Sequence, residues 1–171
     1  MNNIVNGKFY LNKTDEYGST NLDDTSFKVD KYVVTNYEST DLGTPTTVLN
    51  GKLSTIANKL IDDVDPMISY PGAYVYDIHE TTAQTGYINS FKRIENGQEK
   101  EIAFVRLVIR CDENDRIVTS QEVIRVNGCT DAEYFDASNM VNNASINQST
   151  RAVTLNIKNP GTALGIDIKK Y

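Results

Sequence analysis

The chain has 171 residues, a formal net charge of −6, 39% hydrophobic residues, ten tyrosines, no tryptophan and two cysteines. This length suits one domain burying about 70% of its unfolded surface; two cysteines are too few for a disulfide framework. No net basic stripe is present to displace counterions from phosphates, which excludes a nucleic-acid footprint.

The acidic excess sits in residues 1–86, with 12 acidic and 6 basic groups, whereas residues 87–128 balance at 7 and 7. Abundant Thr, Ile and Tyr suit strands and abundant Asn suits turns, so a mainly β fold is expected. The opening Met-Asn-Asn-Ile-Val-Asn-Gly has neither a basic nor an apolar region of a secretory signal, and no apolar stretch reaches membrane-spanning length. Synthesis in a reducing cytoplasm, with Cys111 and Cys129 as free thiols, is the expectation.

Residues 1–50 form the least core-like part, a polar and extended N-terminal region. Only Phe9–Leu11 and Phe27–Tyr37 offer strand material there. Two readings stand: an arm ordered by neighbouring subunits, or edge strands and long loops of the same domain. Residues 51–171 are read as a β-rich domain. It opens with an amphipathic helix over 51–64, because Leu53, Ile56, Ala57, Leu60, Ile61 and Val64 fall on one stripe between Asn50 and Pro66. Pro71-Gly72 then turns the chain into a strand over Ala73–His79.

Asn96-Gly97 marks a type I′ hairpin, since both positions need positive φ. Its register sets Lys92 opposite Glu101, Phe91 opposite Ile102 and Ile88 opposite Val105, matching charges and apolar groups. The strand Glu101–Cys111 is apolar on one face through Ala103, Val105, Leu107, Ile109 and Cys111. Its other face carries Ile102, Phe104 and Val108, broken by Arg106 and Arg110. The turn at Asp112–Arg116 allows two registers, one of which pairs Arg106 with Glu122 and Phe104 with Ile124; Ile117–Val126 is the third strand either way. Thr130-x-x-Glu133 resembles a capping box and predicts a short helix over Asp131–Asn139. Val153, Leu155 and Ile157 alternate with polar residues, and pairing across Pro160-Gly161 would set them against Ile168, Ile166 and Leu164 in a half-buried ribbon. The fold expected from these elements is an antiparallel β-sandwich or jelly-roll-like domain with one amphipathic helix and an extended N-terminal region.

Chemistry is sparse. His79 is the only histidine, and it stands in neither a nucleophile elbow nor a His-Glu-x-x-His motif. Asp112–Asp115 lacks the glycine and distant glutamate of a calcium loop, and Asp62–Asp65 continues the expected helix. Asp77, Glu80 and Glu122 are acids with no feature that sets them apart as a catalytic pair. Tyr74 and Tyr76 share a strand face with Ile78, a pattern that fits packing better than a ligand platform. No catalytic, metal-binding or cofactor-binding residue is expected, and no cofactor. A surface of Tyr87, Phe91, Ile102 and Phe104, edged by Arg106 and Arg110, has the aromatic-plus-arginine composition of interfaces and is expected to face a partner.

In composition, length and its arm-plus-β-domain layout, the chain resembles small β-rich virion proteins of tailed bacteriophages: capsid auxiliary or decoration proteins, and neck or tail components. No diagnostic motif carries the likeness, so no functional residue follows from it. The resemblance implies a non-catalytic structural subunit, narrowed to an auxiliary capsid protein bridging neighbouring subunits. The implied partners are other virion proteins (major capsid or tail subunits) or copies of itself, without nucleic acid or membrane, and the implied location is the virion after synthesis in the host cytoplasm. The alternatives are a neck or tail component and a carbohydrate- or receptor-binding β-sandwich.

Overall fold

A computed structural model describes residues 7–55, 57–64 and 68–162. Eleven strands and one helix follow in order. They are β1 (Gly7–Asp15), β2 (Ser26–Val34), β3 (Thr46–Lys52), β4 (Lys59–Val64), β5 (Ala73–Thr82), β6 (Lys92–Glu95), β7 (Gln98–Glu101), β8 (Ala103–Cys111), β9 (Ile117–Arg125), α1 (Asp131–Asn139), β10 (Ser145–Asn147) and β11 (Ala152–Asn159).

Two sheets carry the fold. One has the order β10-β11-β1-β4, the other β3-β2-β5-β8-β9, and β6-β7 is a separate hairpin. The chain is mainly β with antiparallel sheets packed in a sandwich-like manner; among the described residues the single parallel pairing joins β1 to β11. Alternation along each strand sends every second side chain inward. Phe9 and Leu11 of β1 and Val153, Leu155 and Ile157 of β11 thereby meet Phe27, Val29, Tyr74, Tyr76, Ile78, Val105, Leu107 and Ile109 of the facing sheet in one core. Phe9 and Tyr76 touch across the layers, with ring centroids 4.8 Å apart.

Residues 7–52, the polar and extended stretch of the sequence, supply β1 to β3. β1 lies between β11 and β4, and β2 pairs with β5 along its whole length. The helix expected over 51–64 is replaced by the end of β3 and by β4. Gly51 and Ser54 have φ of +150° and +55°, and the amides of Leu53 and Ser54 bond to Thr25 and Asp23 carbonyls. Both features break a helical ladder. β4 then fills the open edge of β1, and Leu60, placed in the helical stripe, faces solvent. Long-range pairing has outcompeted a local period that fitted equally well.

The two middle turns are as the residues require. Asn96 and Gly97 adopt φ of +52° and +78°, with Lys92 opposite Glu101 and Glu95 opposite Gln98. The second turn takes the register that pairs Arg106 with Glu122 and Phe104 with Ile124. Ile88 does not pair with Val105, because Ile78 of β5 and Val123 of β9 flank it instead. The carbonyl of Phe91 accepts from both Ile102 and Ala103 amides, which ends the short hairpin and hands β8 to β5. The helix α1 forms as expected, with both halves of its capping box made by Thr130 and Glu133. The partners expected for β11 at Leu164, Ile166 and Ile168 lie outside the described residues; β11 is paired by β1 and β10.

Candidate functional site

Three inward-facing positions break the apolar pattern, and they meet. On β1 the inward series Phe9, Leu11 continues to Lys13. On β5 the series Tyr74, Tyr76, Ile78 continues to Glu80, and on β11 the series Val153, Leu155, Ile157 continues to Asn159. Lys13 and Glu80 are each 1% exposed and Asn159 is fully buried.

The Glu80 carboxylate lies between the other two side chains. Its Oε1 accepts from Lys13 Nζ at 2.5 Å, and its Oε2 accepts from Asn159 Nδ2 in a very short hydrogen bond. Lys13 Nζ also donates to the Lys158 carbonyl at 3.2 Å. The Asn159 Oδ1 has no hydrogen-bond partner among the described residues. The rings of Phe27 and Phe91 flank the ammonium, with centroids 5.7 and 6.0 Å from Nζ. Burial pushes the Lys13 pKa below its ordinary value, and the attraction and hydrogen bond of Glu80 restore only part of that loss.

Such a cluster is poorly explained as a stabilising device. A buried ion pair is often no better than apolar residues of the same volume, because both ions are stripped of water. Here a lysine amine whose pKa is lowered by burial, a carboxyl group touching two nitrogens and a side-chain amide share one dry pocket. That set supports acyl transfer: a nucleophile, a general acid–base and an electrophilic carbon.

The sequence-derived surface residues do not assemble into one outward patch. Phe91 and Ile102 are only 2% exposed; Phe91 belongs to the main core and roofs Lys13. They fold inward because the chain crosses from the hairpin into β8 at that point. Phe104 is 9% exposed and packs against His79 with ring centroids 4.5 Å apart. Arg106 binds the Asp77 carboxylate through Nε and Nη2 at 2.7 and 2.8 Å. Arg110 stacks over the Tyr37 ring at 3.9 Å. Tyr87 is half-buried, bridged to Gly161. The outer face of β5 and β8 is partly roofed by the chain itself: Tyr37 and Leu42 pack on Val34, Ala73, Val75 and Val108. The cover assigned to a partner is thus supplied, at that end, by the loop after β2.

His79 hydrogen-bonds the Glu101 carboxylate at 2.7 Å on this outer face, away from the buried cluster. Among the described residues no group of three or more His, Cys, Asp or Glu is placed to hold a metal ion, and no helix is long and apolar enough to cross a membrane. The buried cluster was readable in principle. Extending each inward register by two residues lands on Lys13, Glu80 and Asn159, and a lysine on an apolar register is the warning sign. Comparison with family models, with curated proteins and with solved structures gives no match to this chain.

Proposed function

We propose that this chain is a load-bearing structural module that closes itself covalently, through an amide bond between Lys13 Nζ and Asn159 Cγ. The observation that carries this reading is the single buried carboxylate touching both the attacking and the leaving nitrogen.

A proton passed from Nζ to Oε1 leaves a neutral amine beside a neutral acid, which a dry, aromatic-lined pocket favours over the ion pair. The amine lone pair attacks Asn159 Cγ. Glu80, already against Nδ2, delivers its proton to that nitrogen as the Cγ–Nδ2 bond breaks. Ammonia leaves, the new Nζ–Cγ amide remains, and Glu80 takes up the second proton of Nζ. Atoms and charge balance with no oxidant or co-reactant. The fold supplies proximity, which alone can account for about 7–11 kcal/mol of such a barrier.

The bond would tie the first described strand to the last, β1 to β11, which already run in parallel register. Pulling on the chain ends would then load a covalent bridge instead of hydrogen bonds. This suits the structural-subunit role that the resemblance to virion proteins implies, whether in a viral particle or in another assembly. Turnover on an outside substrate is no part of this reading, since the reaction consumes its own residues once.

Intact-mass measurement of the purified full chain tests it. The expected mass is lower than the sequence mass by one ammonia, and a proteolytic digest should contain the Lys13 peptide joined to the Asn159 peptide. Full sequence mass with both peptides separate overturns the reading. Glu80→Gln, Lys13→Met and Asn159→Ala should each restore the full mass, after correction for the substitution.

A further inference from the structure

We infer that Asn89 is a positioning residue for the cross-linking reaction, holding the Glu80 backbone and the Phe91 lid in one arrangement. This rests on the Lys13–Asn159 reading above, and on a contact pattern separate from the three reacting groups.

Asn89 is buried in the connection between β5 and β6. It uses both ends of its side-chain amide. Nδ2 donates to the Glu80 carbonyl at 3.0 Å, and Oδ1 accepts from the Phe91 amide at 2.9 Å. Glu80 accepts from the amine and Phe91 covers it, so one side chain ties together two residues that set Lys13's surroundings. The chain must turn back to do this: β5 ends at Thr82, Gly86 takes φ of +93°, and Ile88 donates to the Pro160 carbonyl beside Asn159. The far side of the lid is fastened through the Phe91 carbonyl to Ile102 and Ala103. Asn89 fastens the near side.

Losing this clamp frees the Phe91 amide and lets the ring move off Nζ. Water then reaches the lysine, the ammonium is stabilised, and the fraction of neutral amine at a given pH falls. A loss of packing alone would lower stability without changing which pH the reaction prefers.

The test follows cross-linking in the full chain made by cell-free synthesis. Samples are taken at intervals into denaturant, and intact mass reports the loss of ammonia across a pH series. For Asn89→Ala the expected result is a rate lowered at least about tenfold, with the rate–pH profile moved to higher pH. Asn89→Asp keeps the acceptor for the Phe91 amide and loses the donor to Glu80. It should recover part of the rate if the lid is the sensitive element. A folded Asn89→Ala with the rate and pH profile of the native sequence overturns the inference and leaves the cross-link intact as a finding. A native chain that never loses ammonia overturns the cross-link itself, and the role of Asn89 with it. Should Asn89→Ala lack the native β-sheet circular dichroism, Asn89→Ser and Asn89→Asp carry the same comparison.

Discussion

Two acid–base pairs sit three residues apart on β5, on opposite faces, and their contrast is instructive. Asp77 points outward to Arg106, and Glu80 points inward to Lys13. Arg106 keeps 28% of its side chain in solvent and grips Asp77 with two parallel hydrogen bonds. That is an ion pair whose cation never deprotonates and whose geometry is satisfied. Lys13 has no solvent, a lysine's ability to lose its proton, and a carboxylate shared with an amide. The same charges therefore give a structural clamp on one face and the proposed cross-linking cluster on the other. Hydration and the choice of Lys over Arg make the difference, not the distance between charges.

The largest expected effect breaks the inner pair. Replacing Lys13→Met and Glu80→Gln together removes the proposed bond and leaves no unpaired buried charge. The proposed bridge closes nearly the whole chain into one loop, so its absence is worth roughly 5 kcal/mol by loop entropy. Calorimetry should show a melting temperature lower by about 10–20 °C. An unchanged melting temperature would mean that the inner pair does no more than the outer one.

Next comes the outer face. Phe104 sits between His79 and Arg106, 5.8 Å from the guanidinium, so Phe104→Ser should destabilise the isolated chain by about 3 kcal/mol in urea unfolding. A variant that folds with native stability yet fails to assemble would instead restore the interface role expected of this residue. Of similar size, Arg106→Met leaves Asp77, only 4% exposed, without its partner. An uncompensated charge there should cost about 3 kcal/mol, with no change in intact mass beyond the substitution.

The smallest effect concerns the cap of α1. The Arg93 guanidinium first, and the Thr130 amide second, hold the Glu133 carboxyl down at about 2. A depressed carboxyl contributes stability above its unfolded value, 4.5, and loses it as pH falls through the folded one. Protection of the α1 amides, taken relative to their intrinsic exchange at each pH, should therefore fall as pH drops from 4.5 to about 2, and Glu133→Gln should flatten that dependence.

Parts of the fold were legible locally. Asn96-Gly97 dictated its turn because both positions need positive φ. Thr130 and Glu133 dictated a cap because each satisfies the other's backbone. The alternation of Val153, Leu155 and Ile157 dictated a strand with one buried face. Phe91 and Ile102 were misjudged because sequence gives the face of a residue within its strand, but not which strand lies beside it. Phe91 and Ile102 were placed outward on a hairpin that stops short of them. Segment 51–64 matched a helical stripe, and the unfilled edge of β1 drew its second half into a strand instead.

What the amino acids fixed unaided was the β class, the tight turns, the short capped helix and the alternating strands, since each rests on neighbours a few residues apart. Tertiary structure alone brought Lys13, Glu80 and Asn159 to one point. They are far apart in the chain, their strands lie in two different sheets, and no local rule measures distance across a sandwich. Only the packing of those sheets takes the water away from Lys13 and so lowers its pKa.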